Sequence, residues 1–354
     1  MNLNGAPVWI VETKTSSEDI SQGSVYWRRL ALDQQLSIYI PGAKSLGWNV
    51  VGCLYDVLGT VRLQPLMATP MESRKYKKTG ELYANQRAVD ETPGEFGQRC
   101  LAEIVKNPSR YFQRGEIIRL EQEHAESNAD IWQTAHAMKE SRRLGMYPRN
   151  PGSCSNWGRV CEYLPVCCGE ASKDDLLLYV KVETEHEELA LNPSGKTRIT
   201  QSALKIYRSC PRKYQLRNVL GIRSRKVAEP LRRGKSVHAA IESLRKTGSL
   251  DLAIDSLDKT DAYRFEREKA MLLGYFACWG KPRDIVFVEQ QFEMDLINPE
   301  TGRPSKTFTI AGAIDAGCLA NRDFLQPVML EQLLEQSIAQ VGPGLDDNDA
   351  AEME

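Results

Sequence analysis

The sequence predicts an α/β protein, and three observations carry that prediction. Short runs rich in Val, Ile and Trp alternate at the period of a strand. Between them lie stretches whose apolar residues recur at helical spacing. At 354 residues the chain is ample for a sizeable core, and no apolar run approaches the ~20 residues of a membrane span.

Residues 7–15 (PVWIVETKT) read as a strand, so Glu12 and Lys14, two apart, share one face. Residues 27–39 have helical spacing with Leu32, Leu36 and Tyr39 or Ile40 inward, and Pro41 is expected to kink or end that helix. Residues 50–58 read as a buried strand, and the polar, turn-rich stretch 62–95 as a surface insertion. Helices are expected around 93–107 and 128–144, followed by a cysteine-bearing loop over 148–168. The polar stretch 181–196, which contains NPSGK, reads as a linker. Residues 200–219 are a basic amphipathic stretch interrupted at Cys210–Pro211. A clearer helix over 235–246 has Val237, Ala240, Ile241 and Leu244 as its apolar stripe. A further helix over 261–279 precedes strands at 285–296 and 307–319, which flank the turn NPETGRPS. The tail reads as one short helix before a disordered acidic end.

Composition bounds the function. Hydrophobic residues at 42% and charged residues at 26% are ordinary for a soluble globular protein. The polar N-terminus does not read as a secretory signal, so a cytoplasmic protein is expected. Disulfides are rare in that compartment, and the nine cysteines need another reason. The net charge of −1 hides segregation: residues 198–246 carry fourteen Lys or Arg against two acids, whereas residues 321–354 carry one basic and eight acidic residues. A polyanion can bind the first segment despite the neutral total, because phosphate contacts are local.

Phosphodiester hydrolysis needs a divalent cation and a positive group near the developing charge. Magnesium and manganese take carboxylate oxygens, and manganese also accepts imidazole. Asp315 and Glu12, each on an expected strand, are the candidate carboxylate ligands, with His238 as a further metal residue and Glu242 one turn beyond it. Lys14 would position or deprotonate the attacking water, or steady the phosphate. Each element alone is common; their combination is far more specific. A Cys-x6-Cys-x5-Cys triplet (Cys154, Cys161, Cys167) plus the distant Cys210 suits a four-thiolate site, which zinc or a [4Fe–4S] cluster would satisfy equally.

These residues resemble the PD-(D/E)XK nucleases of the RecB-like branch, in particular its phage-type iron–sulfur members. CPRKYQLRNVLG resembles the helix bearing the first cluster cysteine, LRRGKSVHAAIE the histidine motif and AGAIDA the aspartate motif. VWIVETKT resembles the (D/E)xK strand, DQQLSIYI the Gln-x-x-x-Tyr helix and CSNWGRVCEYLPVC the closing cysteine triplet. The resemblance implies a restriction-endonuclease-like core, a mixed central sheet flanked by helices, with a helical insertion. It implies Asp315, Glu12 and Lys14 as catalytic residues, His238 as an accessory metal residue, and Gln35 and Tyr39 as DNA contacts. It favours a [4Fe–4S] staple on Cys154, Cys161, Cys167 and Cys210, with Cys168 able to compete for the last position. Cys53, Cys100, Cys278 and Cys318 are expected to pack as small hydrophobes. DNA is the expected partner, beside a helicase or recombination protein, and the activity would be that of an exonuclease.

The motif order is reversed against the family, which a circular permutation explains. Residues 1–170 hold the family's C-terminal half, 171–197 a linker, 198–320 its N-terminal half and 321–354 an acidic tail. A permuted monomer would assemble its own site; alternatively two chains would exchange halves, or the copies would be incomplete and the protein would bind DNA without cleaving it. The tail stretch VMLEQLL competes for the (D/E)xK slot with Glu331 but puts Leu333 where the lysine belongs. A zinc-stabilised interaction module is the third reading.

Overall fold

The computed structural model describes residues 5–156, 158–182, 195–226 and 229–320; linker residues 183–194 and the tail at 321–354, with Glu331, lie outside them. The chain opens with strand β1 (Pro7–Ser16), helices α1 (Val25–Leu30) and α2 (Gln34–Ser45), and strand β2 (Asn49–Gly59). After the insertion come α3 (Pro93–Lys106), α4 (Pro108–Tyr111), β3 (Phe112–Ile117) and the long α5 (Glu121–Leu144). A small lobe follows, built from β4 (Ser155–Asn156), β5 (Arg159–Val160), α6 (Leu164–Cys168) and β6 (Tyr179–Lys181). The second segment adds β7 (Thr197–Ile199), α7 (Gln201–Ser209), α8 (Pro211–Tyr214) and β8 (Ile222–Ser224). It ends with α9 (Glu229–Thr247), α10 (Leu250–Asp255), α11 (Ala262–Trp279) and the hairpin strands β9 (Ile285–Ile297) and β10 (Pro304–Leu319).

One mixed six-stranded sheet takes strands from both segments. β1 lies parallel to β2, with α1 and α2 as the crossover, and β2 lies antiparallel to β3. On its other edge β1 pairs antiparallel with β10, from Val8 opposite Leu319 to Val11 opposite Ala316. β9 runs along the far edge of β10, and β7 pairs with β10 only over Phe308–Ile310. Thr309 and Ala316 each have β9 on one side, so β7 and β1 share the other edge of β10 and leave a fork between them.

Helices cover both faces of this sheet. Val57 and Leu58 are consecutive in β2 and therefore point to opposite sides. Val57 joins the core of α2, α5 and α7, which includes Leu36, Ile38, Ile131, Met138 and Leu204. Leu58 joins the core of α3, α9, α10 and α11, with Phe96, Val237, Ile241, Leu244 and Met271. The result is a mixed α/β architecture with a central mixed sheet flanked by helices, consistent with the restriction-endonuclease-like fold.

Four local expectations are corrected. The helix expected over 27–39 is two helices, broken between Leu30 and Gln34, and Leu32 sits in the break at 88% exposure rather than inward. Pro41 does not end α2, which runs on to Ser45. The helix expected over 128–144 begins earlier, at Glu121. The loop expected over 148–168 carries the β4–β5 hairpin and α6. Between β2 and α3 the insertion carries a short turn of 3-10 helix at Met71–Ser73 and an isolated antiparallel bridge between Tyr76 and Leu82.

Candidate active site

The last rung joining β1 to β10 is Val11–Ala316. The next residue on each strand, moving into the fork, is Glu12 on β1 and Asp315 on β10. Both are buried, at 1% and 7% exposure, so two carboxylates are drawn away from solvent at one point. Asp315 Oδ2 reaches across the gap and accepts the backbone N–H of Thr13 at 3.0 Å. Nothing local in either strand predicts that bond, which spans the two ends of the described chain.

Lys14 and Gln35 converge on the same carboxylate. Lys14 projects from the face of Glu12, as the strand period requires, and its ammonium pairs with Glu12 Oε1. The lysine side chain keeps 38% of its surface exposed, so its outer side can meet a ligand from solvent. Asp33 caps α2 by accepting the N–H of Gln35 at 2.7 Å, and this first turn aims the Gln35 amide at Glu12 Oε1, 2.8 Å away. Tyr39, one turn on, lies edge-on to Phe292 with ring centroids 5.9 Å apart. The two rings close over Gly312, where an added Cβ would lie 3.0 Å from Phe292 and 3.1 Å from Tyr39.

Burial and like charge oppose full ionisation of the carboxylate pair. Burial, and then the charge of Asp315, push Glu12 up to about 7, against the pull of Lys14. Burial works against the Lys14 charge, yet Glu12 and Asp315 outweigh it and hold the ammonium well above its ordinary value. Glu12 Oε2 is buried and has no hydrogen-bond partner among the described residues. A buried carboxylate oxygen left bare is costly, and a proton, a water molecule or a divalent cation would each satisfy it.

His238 projects from α9 toward the same fork. Its Nδ1 lies 3.7 Å from Asp315 Oδ2, and its Nε2 lies 2.9 Å from Glu289 Oε1. The hydrogen bond to Glu289 first, and then Asp315, raise the imidazole above its usual value despite burial. Among the described residues the one set of three His, Cys, Asp or Glu ligand atoms lying within 4.8 Å of one another is His238, Glu242 and Glu289. Behind β1, the buried Arg245 donates to Thr13 Oγ1. His238, Glu242 and Arg245 recur at i, i+4 and i+7, so a polar row beside the apolar stripe of α9 could have flagged Arg245. Glu289 had no such signal.

The cysteines fall into two groups. Cys53, Cys100, Cys278 and Cys318 are buried. Cys154, Cys161 and Cys167 lie in the small lobe, where Cys161 N–H bonds Cys154 O at 2.8 Å. The second segment docks there: Asn150 Nδ2 and Ser153 Oγ each donate to Ser209 O at 2.8 Å, beside Cys210. Burial pushes the Cys167 thiol up, Arg212 and Arg149 pull it down, and Cys161 and Cys210 stand near enough to push it up again. All four candidate thiols thus line one lobe, free of disulfides. No three of these thiols lie within 4.8 Å of one another.

Residues 198–316 match the family model of the PD-(D/E)XK nuclease superfamily. The matched segment contains His238 and Asp315, and it stops one residue after Asp315. Glu12 and Lys14 lie outside it, at the other end of the chain, and reach it through the β1–β10 pairing. No curated protein and no solved structure matches the chain. Members of the matched superfamily are generally metal-dependent nucleases that use Mg2+ or Mn2+, and no helix among the described residues is long and apolar enough to cross a membrane.

Proposed function

We propose that the protein is a metal-dependent DNA nuclease acting on DNA ends, with a structural iron–sulfur cluster. The observation that carries this reading is the convergence of Glu12 and Asp315 at the fork, with Lys14 on the first, His238 beside the second and one buried Glu12 oxygen unpartnered among the described residues. Glu12 and Asp315 would hold the divalent cation, with His238 as a third ligand through Nδ1. The cation would neutralise the scissile phosphate and make water acidic enough to attack.

Lys14 stays charged beside the two acids, which favours a role as a fixed cation for the phosphate's developing charge over a role as a base. Gln35 and Tyr39 would hold Glu12 and border the path of the strand. The basic segment 198–246 would supply phosphate contacts.

The motif order is best read as a circular permutation of a RecB-like core. β1 fills the slot beside β10 that a continuous hairpin would otherwise fill, and the small lobe holds the junction where the two segments meet. The grouping of Cys154, Cys161, Cys167 and Cys210 at one lobe would suit the [4Fe–4S] cluster of the iron–sulfur nucleases that the sequence resembles. Its role would be to fasten Cys210 to the triplet, far from the fork, in phage or recombination-type DNA processing.

The test is degradation of end-labelled linear DNA with Mg2+ or Mn2+, beside a covalently closed circle. Linear DNA is expected to be degraded and the circle spared. Lys14→Ala should reduce the rate by about 100-fold or more while DNA binding persists. Unchanged cleavage by that variant would remove the site assignment; degradation of the circle would remove the requirement for ends.

A further inference from the structure

Glu289 belongs to no motif in the sequence, yet it is the residue of β9 that stands opposite Asp315, between the rungs Gln290–Ile314 and Val288–Ala316. Its backbone adopts φ 51° inside a strand, in the left-handed region that side-chain-bearing residues rarely enter. Such a conformation persists where the surroundings over-determine it, and it is concentrated at functional sites. Here its side chain meets α9, where Oε1 lies 2.9 Å from His238 Nε2. Glu242, one turn beyond His238 on α9, pairs through Oε1 with Lys246.

A neutral imidazole carries one N–H and one lone pair, and an ionised carboxylate only accepts. When the ring is neutral and Glu289 ionised, Nε2 carries the hydrogen that Glu289 accepts. The lone pair is then on Nδ1, the nitrogen 3.7 Å from Asp315 Oδ2. We infer that Glu289 is a positioning residue, which fixes the tautomer and ring orientation of His238 so that Nδ1 is presented to the Glu12–Asp315 pair. This rests on the nuclease reading above and assigns it a residue that no motif read in the sequence contains. An outer carboxylate of this kind changes metal affinity by about 10–100-fold.

The test is Mn2+ binding to the full chain, followed by electron paramagnetic resonance, for wild type, Glu289→Ala, His238→Ala and the double variant. Glu289→Ala is expected to weaken binding about 10-fold or more, and the double variant to bind no more weakly than His238→Ala alone. Glu289→Gln keeps an acceptor oxygen for Nε2–H and should restore most of the affinity, which a misfolded protein would not do. Nitrogen-15 NMR of the neutral ring should show a single tautomer with hydrogen on Nε2 in wild type and a mixture in Glu289→Ala.

Additive losses in the double variant would overturn the inference, as would a mixed tautomer in wild type. So would a wild type that binds two Mn2+ and a Glu289→Ala variant that loses one of them, since Glu289 would then be a ligand in its own right. Wild type that cleaves DNA while Glu289→Ala binds Mn2+ equally well sinks this inference alone. Wild type that neither binds Mn2+ nor cleaves DNA sinks the nuclease reading with it.

Discussion

Burial sets the behaviour of individual acids in this protein. Burial holds Glu12 up to about 7 even with Lys14 beside it, and its type and spacing made it legible in sequence as one member of a strand pair with Lys14. What sequence could not supply was the neighbour: the N–H of Thr13 on Asp315 and the Gln35 amide on Glu12 depend on where β10 and α2 come to lie. A second acid behaves similarly away from the site. Glu268 is fully buried, accepts from Ser236, and is pushed up to about 7, chiefly by burial. Its folded value lies above the ordinary 4.5, so between those limits the folded chain binds a proton that the unfolded chain has released. Stability from this group is therefore full below about 4.5 and lost as pH rises through about 7, by on the order of 2 kcal/mol. Urea unfolding of Glu268→Gln should show that part of the pH slope removed, so that the variant gains on wild type between pH 5 and 8.

At the scale of elements, period and capping were readable and close packing was not. The β1 alternation, the α9 stripe and the hairpin turn were legible because each depends on residues adjacent in sequence. α2 shows the limit. Pro41 removes the N–H that Ser37 O would accept, yet α2 continues to Ser45. β3 and α10 carry too short a pattern to stand out, and they form because β2 and α9 offer them a surface. Gly312 is fixed by the rings over it. Gly312→Ala is expected to destabilise by about 1–3 kcal/mol in thermal or chemical unfolding and to shift Tyr39 fluorescence, because Phe292 and Tyr39 must move apart. The small lobe gives a second test: Cys210→Ser should abolish visible absorption of anaerobically purified protein and lower its melting temperature, with Cys168→Ser unchanged in both.

The whole molecule is held together by a sheet that neither segment completes alone. β1 brings one acid and the lysine, β10 brings the other acid, and the two strands pair in a defined register within one chain. Mixing Lys14→Ala protein with Asp315→Asn protein should therefore restore no nuclease activity, since each chain keeps its own defective site; recovered activity would mean that chains exchange halves. DNA affinity should fall steeply with salt, given the cationic stretch from 198 to 246. The sequence by itself determined which residues carry charge, metal-ligand chemistry and strand or helix periodicity, because these are properties of side chains and their spacing. Only the tertiary structure decided that Glu12 and Asp315 meet, that Glu289 faces His238, and that four distant thiols share a lobe. Those are contacts between residues hundreds of positions apart, and they are fixed by sheet register and by the packing of helices on both its faces.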